Sequence, residues 1–368
     1  MNNKILNKIL MIFKSIWIIL LLILFSTIFF SIFNINPNNI SDKMYVVYLT
    51  TSELVLTLIF FIIFLGLTSL IVISGVEKGI EKVSSYLMPA LIVLAVIICI
   101  YVITIPGSSA GIKYYLLPDF SKFSFKTVCA AMGQMFYSMS LAMGIMITYG
   151  SYTKDEVSIV KSVNQIEIFD TGIAILAGMM VVPAVYIFSG EAGTSQSGAG
   201  LMFVTLPKVF TQMTAGRFIG GLFFVLVFFA ALTSSVSVME AIVSMLIDRF
   251  HISRIKACLG VIIFSVALGI PCSLGNGVWS HITILGMDFL TFFDFISNSL
   301  LLPIVAFFTC LMIGWSTGAD YIIGEATKNG EAFKREKIYR VMIKYIAPVL
   351  LLIILVFYTL AQFNIIKF

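Results

Sequence analysis

Ser138 and Ser140 lie two residues apart in the run Gly133-Gln134-Met135-Phe136-Tyr137-Ser138-Met139-Ser140-Leu141-Ala142-Met143-Gly144, inside an apolar segment long enough to cross a bilayer. On an intact helix, residues two apart point away from each other. A turn opened around Ser140–Gly144 would let both hydroxyls and several backbone carbonyls converge. A helix in hydrocarbon must satisfy its own backbone groups, so a weakened middle makes sense where the freed groups meet a ligand or a cavity. Secondary transporters build midplane sites from broken helices of this kind. The plainer alternative has each serine bonding back to a carbonyl one turn earlier.

A second set of oxygens lies in Phe228-Phe229-Ala230-Ala231-Leu232-Thr233-Ser234-Ser235. Ala230 is three residues from Thr233 and four from Ser234, so the three share a helix face. The Ala230 carbonyl with the Thr233 and Ser234 hydroxyls forms a neutral oxygen cluster suited to a hard monovalent cation such as Na⁺. Packing of small residues between helices is the alternative. Four carboxylates add charge. Asp170 and Glu240 lie in apolar surroundings, where an ionisable group is a functional hypothesis by default. Asp288 and Asp294 sit near the start of a later span, where an interfacial position is the competing reading.

The elements that must hold these residues are membrane helices. The 368 residues are 60% hydrophobic and 11% charged, with mean hydropathy +1.07. Ordinary globular domains carry about 25% charged residues, so the chain is an integral, polytopic, all-α membrane protein. Nine spans are expected, at about 12–34, 54–75, 87–106, 127–150, 168–189, 218–247, 257–276, 285–314 and 345–364. The first has basic residues before it like a signal peptide, but its apolar run is too long and lacks a small-residue cleavage site, so a retained span is expected. Sixteen of the 23 Lys and Arg residues fall in loops on the side of the N-terminus, which places that side in the cytoplasm. The net charge of +5 reflects these loops and gives no reason to expect a nucleic-acid partner. Cys99, Cys129, Cys258, Cys272 and Cys310 form no paired motif, His251 and His281 are isolated, and no phosphate-binding loop appears. An enzyme or an ATP-driven machine is therefore not expected.

The chain resembles the neurotransmitter:sodium symporter family, in particular its shorter bacterial amino-acid transporters of the LeuT type. Four stretches carry the resemblance: Gly133 to Gly144 with Ile147-Thr148-Tyr149; Gly198, Gly200-Leu201, Phe203 and Thr205-Leu206-Pro207; Phe228 to Ser235; and Gly75-Val76-Glu77-Lys78-Gly79-Ile80-Glu81-Lys82. It runs from roughly residue 40 to the end. It implies a partial inverted-repeat fold as a single transmembrane domain: 1–126 as the remnant of the first repeat (family helices three to five), 127–314 as the second repeat (helices six to ten), and 315–368 as an additional C-terminal helix.

The resemblance also implies roles. Tyr137, Ser138, Ser140, Met143, Ser234 and Val238 are similar to residues that contact substrate, and Val236 is expected beside them. Ser138, Asp170, Ala230, Thr233 and Ser234 are similar to sodium ligands. Gln134 resembles a residue near the chloride site of chloride-dependent members, with Asp170 as a surrogate charge. Asp294 resembles the outer-gate acid, and Gly198–Pro207 the extracellular lid. The family's first two helices have no counterpart in the sequence, and with them half of each sodium site and the arginine of the outer gate. The implied function is sodium-coupled symport of amino acids, apolar or aromatic ones favoured, by a multi-pass protein of the inner (plasma) membrane. Na⁺ is the co-transported ion, there is no organic cofactor, and the partners are the amino acid and the lipid bilayer. A separate polypeptide supplying the first two helices is one way to complete the site. The alternative is a non-transporting, degenerate or truncated paralogue acting as a membrane interaction protein.

Overall fold

The computed structural model describes residues 43–363 apart from 195–197, 276, 278 and 329. The expected span at 12–34 lies outside the described residues. Those described are helical, without a strand; their one β-feature is an isolated bridge between Ile284 and Met287.

Six helices are long and apolar enough to cross a membrane: α2 (Val76–Thr104), α6 (Ile159–Gly190, continuing to Thr194), α8 (Gly216–Phe250), α9 (Arg254–Gly275), α10 (Phe289–Thr327) and α11 (Glu336–Leu360). A further helix, α1, runs Lys43–Ile73, with Thr57–Ile73 as its shorter apolar part. The expected count of about nine spans, one of them interrupted, is not confirmed among the described residues. The interrupted one, expected at 127–150, is two short helices, α4 (Phe125–Ser138) and α5 (Ile145–Tyr152). Two more short helices are α3 (Ser108–Leu116) and α7 (Leu206–Gln212).

The chain packs as two compact units. One contains Leu94–Tyr115 and Met179–Val227. Its core is built on Ile98, Val102, Val185, Val209 and Phe223, each 3% exposed or less. Gly111 lies against the backbone of Pro183, where a side chain would collide. The other unit contains Tyr48–Val93, Leu116–Gly178 and Phe228–Phe368. Its core joins Val72 and Ile80 to Val236, Met239, Val243 and Cys258. Two buried hydroxyls there are satisfied locally: Thr68 donates to the Phe64 carbonyl at 3.0 Å and meets Ser235 at 2.9 Å, and Ser69 donates to the Leu65 carbonyl at 2.6 Å. Such back-bonding lets a hydroxyl sit inside an apolar helix without an orphan polar group.

Outward-facing positions are apolar. Ile97, Ile100, Ile263, Phe264, Val305 and Phe308 are all exposed, as a lipid solvent permits and water does not. At the start of α10, Asp288 caps the helix: its carboxylate accepts from the Thr291 amide at 3.0 Å and the Thr291 hydroxyl at 2.6 Å. These two bonds hold its carboxyl below the usual carboxylate range.

Candidate functional site

The site is organised by the gap between α4 and α5. The helix α4 begins well, with Ser124 and Thr127 forming a reciprocal cap. It stops at Ser138 because three of the next six residues leave right-handed space: Ser140 has φ 53°, Ala142 φ 61° and Gly144 φ 79°. For Ser140 and Ala142 the left-handed conformation costs about 1–2 kcal/mol each; Gly144 adopts it freely. The ladder does not resume until Thr148 donates to the Gly144 carbonyl at 2.9 Å.

This opened turn forms one wall of a cleft of about 810 Å³ within the second unit. Tyr137, Ser138, Ser140 and Met143 line it from the opened helix, Asp170 from α6, and Thr233, Ser234 and Val238 from α8. Ser138 donates its hydroxyl to Asp170 Oδ1 at 2.5 Å, so the two meet across 32 residues of sequence. The Ser140 and Ser234 hydroxyls have no hydrogen-bond partner among the described residues and face the cleft. Six of the seven residues expected at the substrate pocket line this one space, Val236 being the exception.

Other expected residues lie elsewhere. Ala230 does not line the cleft; its carbonyl accepts the Thr233 hydroxyl at 3.0 Å, and that hydroxyl also reaches the Phe229 carbonyl at 3.1 Å. Gln134 is exposed one turn up α4, away from the cleft. Asp294 is outside the lining and accepts from Asn298 Nδ2 at 2.6 Å. Val236, expected beside Val238, is instead in the core at 3% exposure. Residues two apart on a helix are about 200° apart, so the two valines cannot share a face.

Two residues that line the cleft, Ser237 and Asn298, were not singled out in the sequence, whereas Glu240 was. Ser237 lines the cleft, donates to the Thr233 carbonyl at 3.0 Å and receives the Tyr149 hydroxyl at 2.8 Å. Its spacing, four residues after Thr233, was the available signal. Asn298 also lines the cleft, one turn beyond Asp294. Glu240 is fully buried but outside the cleft. It is paired with Arg254, whose Nε donates to the Val72 carbonyl at 2.7 Å, and it receives the Tyr152 hydroxyl at 2.7 Å.

An all-helical membrane architecture with a helix opened over a cleft of hydroxyls and one carboxylate defines a class, that of the broken-helix transporter folds. Comparison with known proteins narrows it. Residues 38–368 match the family model described as "Sodium:neurotransmitter symporter family", and the chain belongs to that family. It is similar to an uncharacterised sodium-dependent transporter of Haemophilus influenzae, 32% identical over 81% of this chain and 64% of the relative. It is also similar to the uncharacterised sodium-dependent transporter YhdH of Bacillus subtilis, 34% identical over 80% of this chain and 64% of the relative. The crystal structure of MhsT in complex with L-phenylalanine superimposes with TM-score 0.71 at 34% identity, covering 80% of this chain and 66% of that one. The chain thus spans a little under two thirds of the length of these curated relatives.

Proposed function

We propose that this chain acts in sodium-coupled symport of amino acids, with apolar or aromatic side chains favoured, as a multi-pass protein of the plasma membrane with its N-terminal side in the cytoplasm. The observation that carries the reading is the single cleft that gathers the opened turn at Ser138–Met143, Asp170 and the Thr233–Ser234 pair. Hydroxyl, carbonyl and carboxylate oxygens are the donor set for a hard monovalent ion, and Asp170 supplies a compensating negative charge. In this reading Ser138, Asp170, Ala230, Thr233 and Ser234 hold sodium, the Ala230 contribution coming from its carbonyl. The backbone groups released between Ser138 and Gly144 receive the charged end of the amino acid. Tyr137, Met143 and Val238 receive its side chain; a methionine there adapts to more than one shape. Sodium drives uptake because ion and substrate complete one another's contacts and together favour the closed state by differential affinity. The amino acid bound in the MhsT complex is of the class this pocket suits.

The test is uptake of radiolabelled L-phenylalanine, L-leucine and L-glutamate by proteoliposomes containing the full chain, with an inward gradient of Na⁺ or of K⁺. Uptake of the apolar amino acids in Na⁺ alone is expected. Uptake indifferent to the exchange of Na⁺ for K⁺ refutes sodium coupling. A folded chain with no uptake in either salt favours the non-transporting reading.

A further inference from the structure

We infer that the facing π-turns of α10 and α11 form a binding site for the headgroup of an anionic phospholipid, centred on Lys344, Trp315 and Tyr345. The site is built by two facing π-helical turns, Met312–Gly318 in α10 and Met342–Ile346 in α11. They approach at Gly314, where an added Cβ would lie 3.0 Å from the Ile343 carbonyl oxygen and 3.1 Å from Lys344 Cα. That approach lets the Trp315 indole N–H donate to the Lys344 carbonyl at 2.9 Å, which fixes the ring. The Lys344 ammonium then lies 5.2 Å from the centroid of Trp315 and 5.6 Å from that of Tyr345, the two rings being edge to face at 5.9 Å. π-Turns inserted in a helix often mark functional positions.

Charge identifies what the site takes. Around it, Arg340 is held by Asp320 and Glu336, Lys328 by Asp155 and Glu325, and Arg335 by Glu167. Lys344 has no carboxylate partner among the described residues. Two aromatic faces attract its charge without neutralising it, and the residue is part-exposed, not buried. The rings themselves are exposed, Trp315 at 60% and Tyr345 at 53%, beside exposed Met312, Ile338 and Val341. Trp and Tyr gather at the membrane–water boundary, and the apolar surroundings suit acyl chains. The site lies beside the bounds expected from the sequence at 314 and 345, while in the structure α10 runs on to Thr327 and α11 begins at Glu336. Free phosphate shares the chemistry but has no use for the exposed apolar flank, so the lipid is the assigned ligand.

The test uses the full chain in vesicles of phosphatidylcholine and phosphatidylglycerol, with bromine on the acyl chains of one lipid at a time. Quenching of Trp315 fluorescence is taken as the difference between wild type and Trp315→Phe. Brominated phosphatidylglycerol should quench it about five-fold more effectively than its bulk share predicts, the factor for one lysine at an anionic surface. The preference should disappear in Lys344→Gln and survive in Lys344→Arg, which separates loss of charge from loss of fold. Equal quenching by both lipids, a preference unchanged in Lys344→Gln, or displacement by inorganic phosphate at matched ionic strength would each overturn the assignment. So would the absence of quenching by either lipid, which would place a second protein copy over the rings.

Discussion

Replacing Arg254 by Met should be among the most damaging single changes in the chain. Glu240 is 0% exposed and Arg254 25% exposed at the side chain, and they are directly paired. Arg254 also ties the end of α1 to α8 and α9 through the Val72 carbonyl. Arg254→Met leaves a buried carboxylate with only the Tyr152 hydroxyl to stabilise it. Removing one partner of a buried pair costs about 3–5 kcal/mol. Glu240→Gln is milder, at about 1–2 kcal/mol, because the amide still accepts from Tyr152 and the part-exposed guanidinium finds water. The double variant buries no charge, so its loss should fall at least 1 kcal/mol short of the summed single losses, well above the ~0.5 kcal/mol scatter of independent sites. Unfolding in mixed micelles titrated with SDS, followed by circular dichroism, measures all three. Equal losses in the two single variants, or losses that add within that scatter, would refute the argument that the uncompensated charge is the dominant cost.

Thr233→Val keeps the side chain's shape and removes its oxygen; the sodium concentration for half-maximal binding should rise at least about tenfold, read by sodium titration of substrate binding. Ser140→Leu places bulk on the cleft wall and should weaken substrate binding while the purified yield holds; unchanged affinity would remove Ser140 from the site. Gly144→Ala has open space around the new Cβ, so its cost is purely that of the left-handed backbone, about 1–2 kcal/mol, and a neutral result in thermal melts would place the bend elsewhere. Asp288→Ala removes the cap of α10 and should cost about 0.5–2 kcal/mol near neutral pH. Because the folded carboxyl is held below its unfolded value, that contribution is complete above the usual carboxylate range. It is lost as pH falls through the lowered folded value, so wild type and variant should converge in strong acid.

Much of the fold was legible because hydropathy and length suffice for long lipid-facing helices. The ranges expected at 218–247 and 257–276 lie within a few residues of α8 and α9. The interruption near Ser140 was legible for a different reason: small and hydroxyl residues crowd where lipid favours large apolar ones. One feature was not legible, and one was legible but misread. The expected span at 285–314 belongs to a helical stretch that runs on to Thr327 through two π-turns, and such turns depend on which neighbouring groups donate to the displaced carbonyls. The face of α8 was read one step too generously, with Val236 placed beside Val238 although the helix turns them apart. Spacing alone settled that point, and it agrees with the coordinates once the 100° step is applied.

Asp170 and Glu240 look alike as sequence: each is a carboxylate beside a long apolar run. The structure separates them by what their neighbours supply. Glu240 meets a guanidinium from the start of the next helix and a phenol from 88 residues earlier. Its charge is compensated inside the protein, which suits a group that holds α8 and α9 in place. Among the described residues Asp170 meets only the hydroxyl of Ser138, on the wall of an open cleft. A hydroxyl donates one hydrogen bond and carries no net charge, so the carboxylate still attracts a cation from whatever enters. No local pattern encodes this difference, because it depends on long-range pairing. The resemblance assigned a site role to Asp170 alone, and the physical contrast, one carboxylate paired inside the protein and one on a cleft wall, is seen once the helices are in place. That contrast also orders the expected effects: neutralising Glu240 should act on stability, whereas Asp170→Asn should act on ion dependence while leaving the unfolding midpoint nearly unchanged.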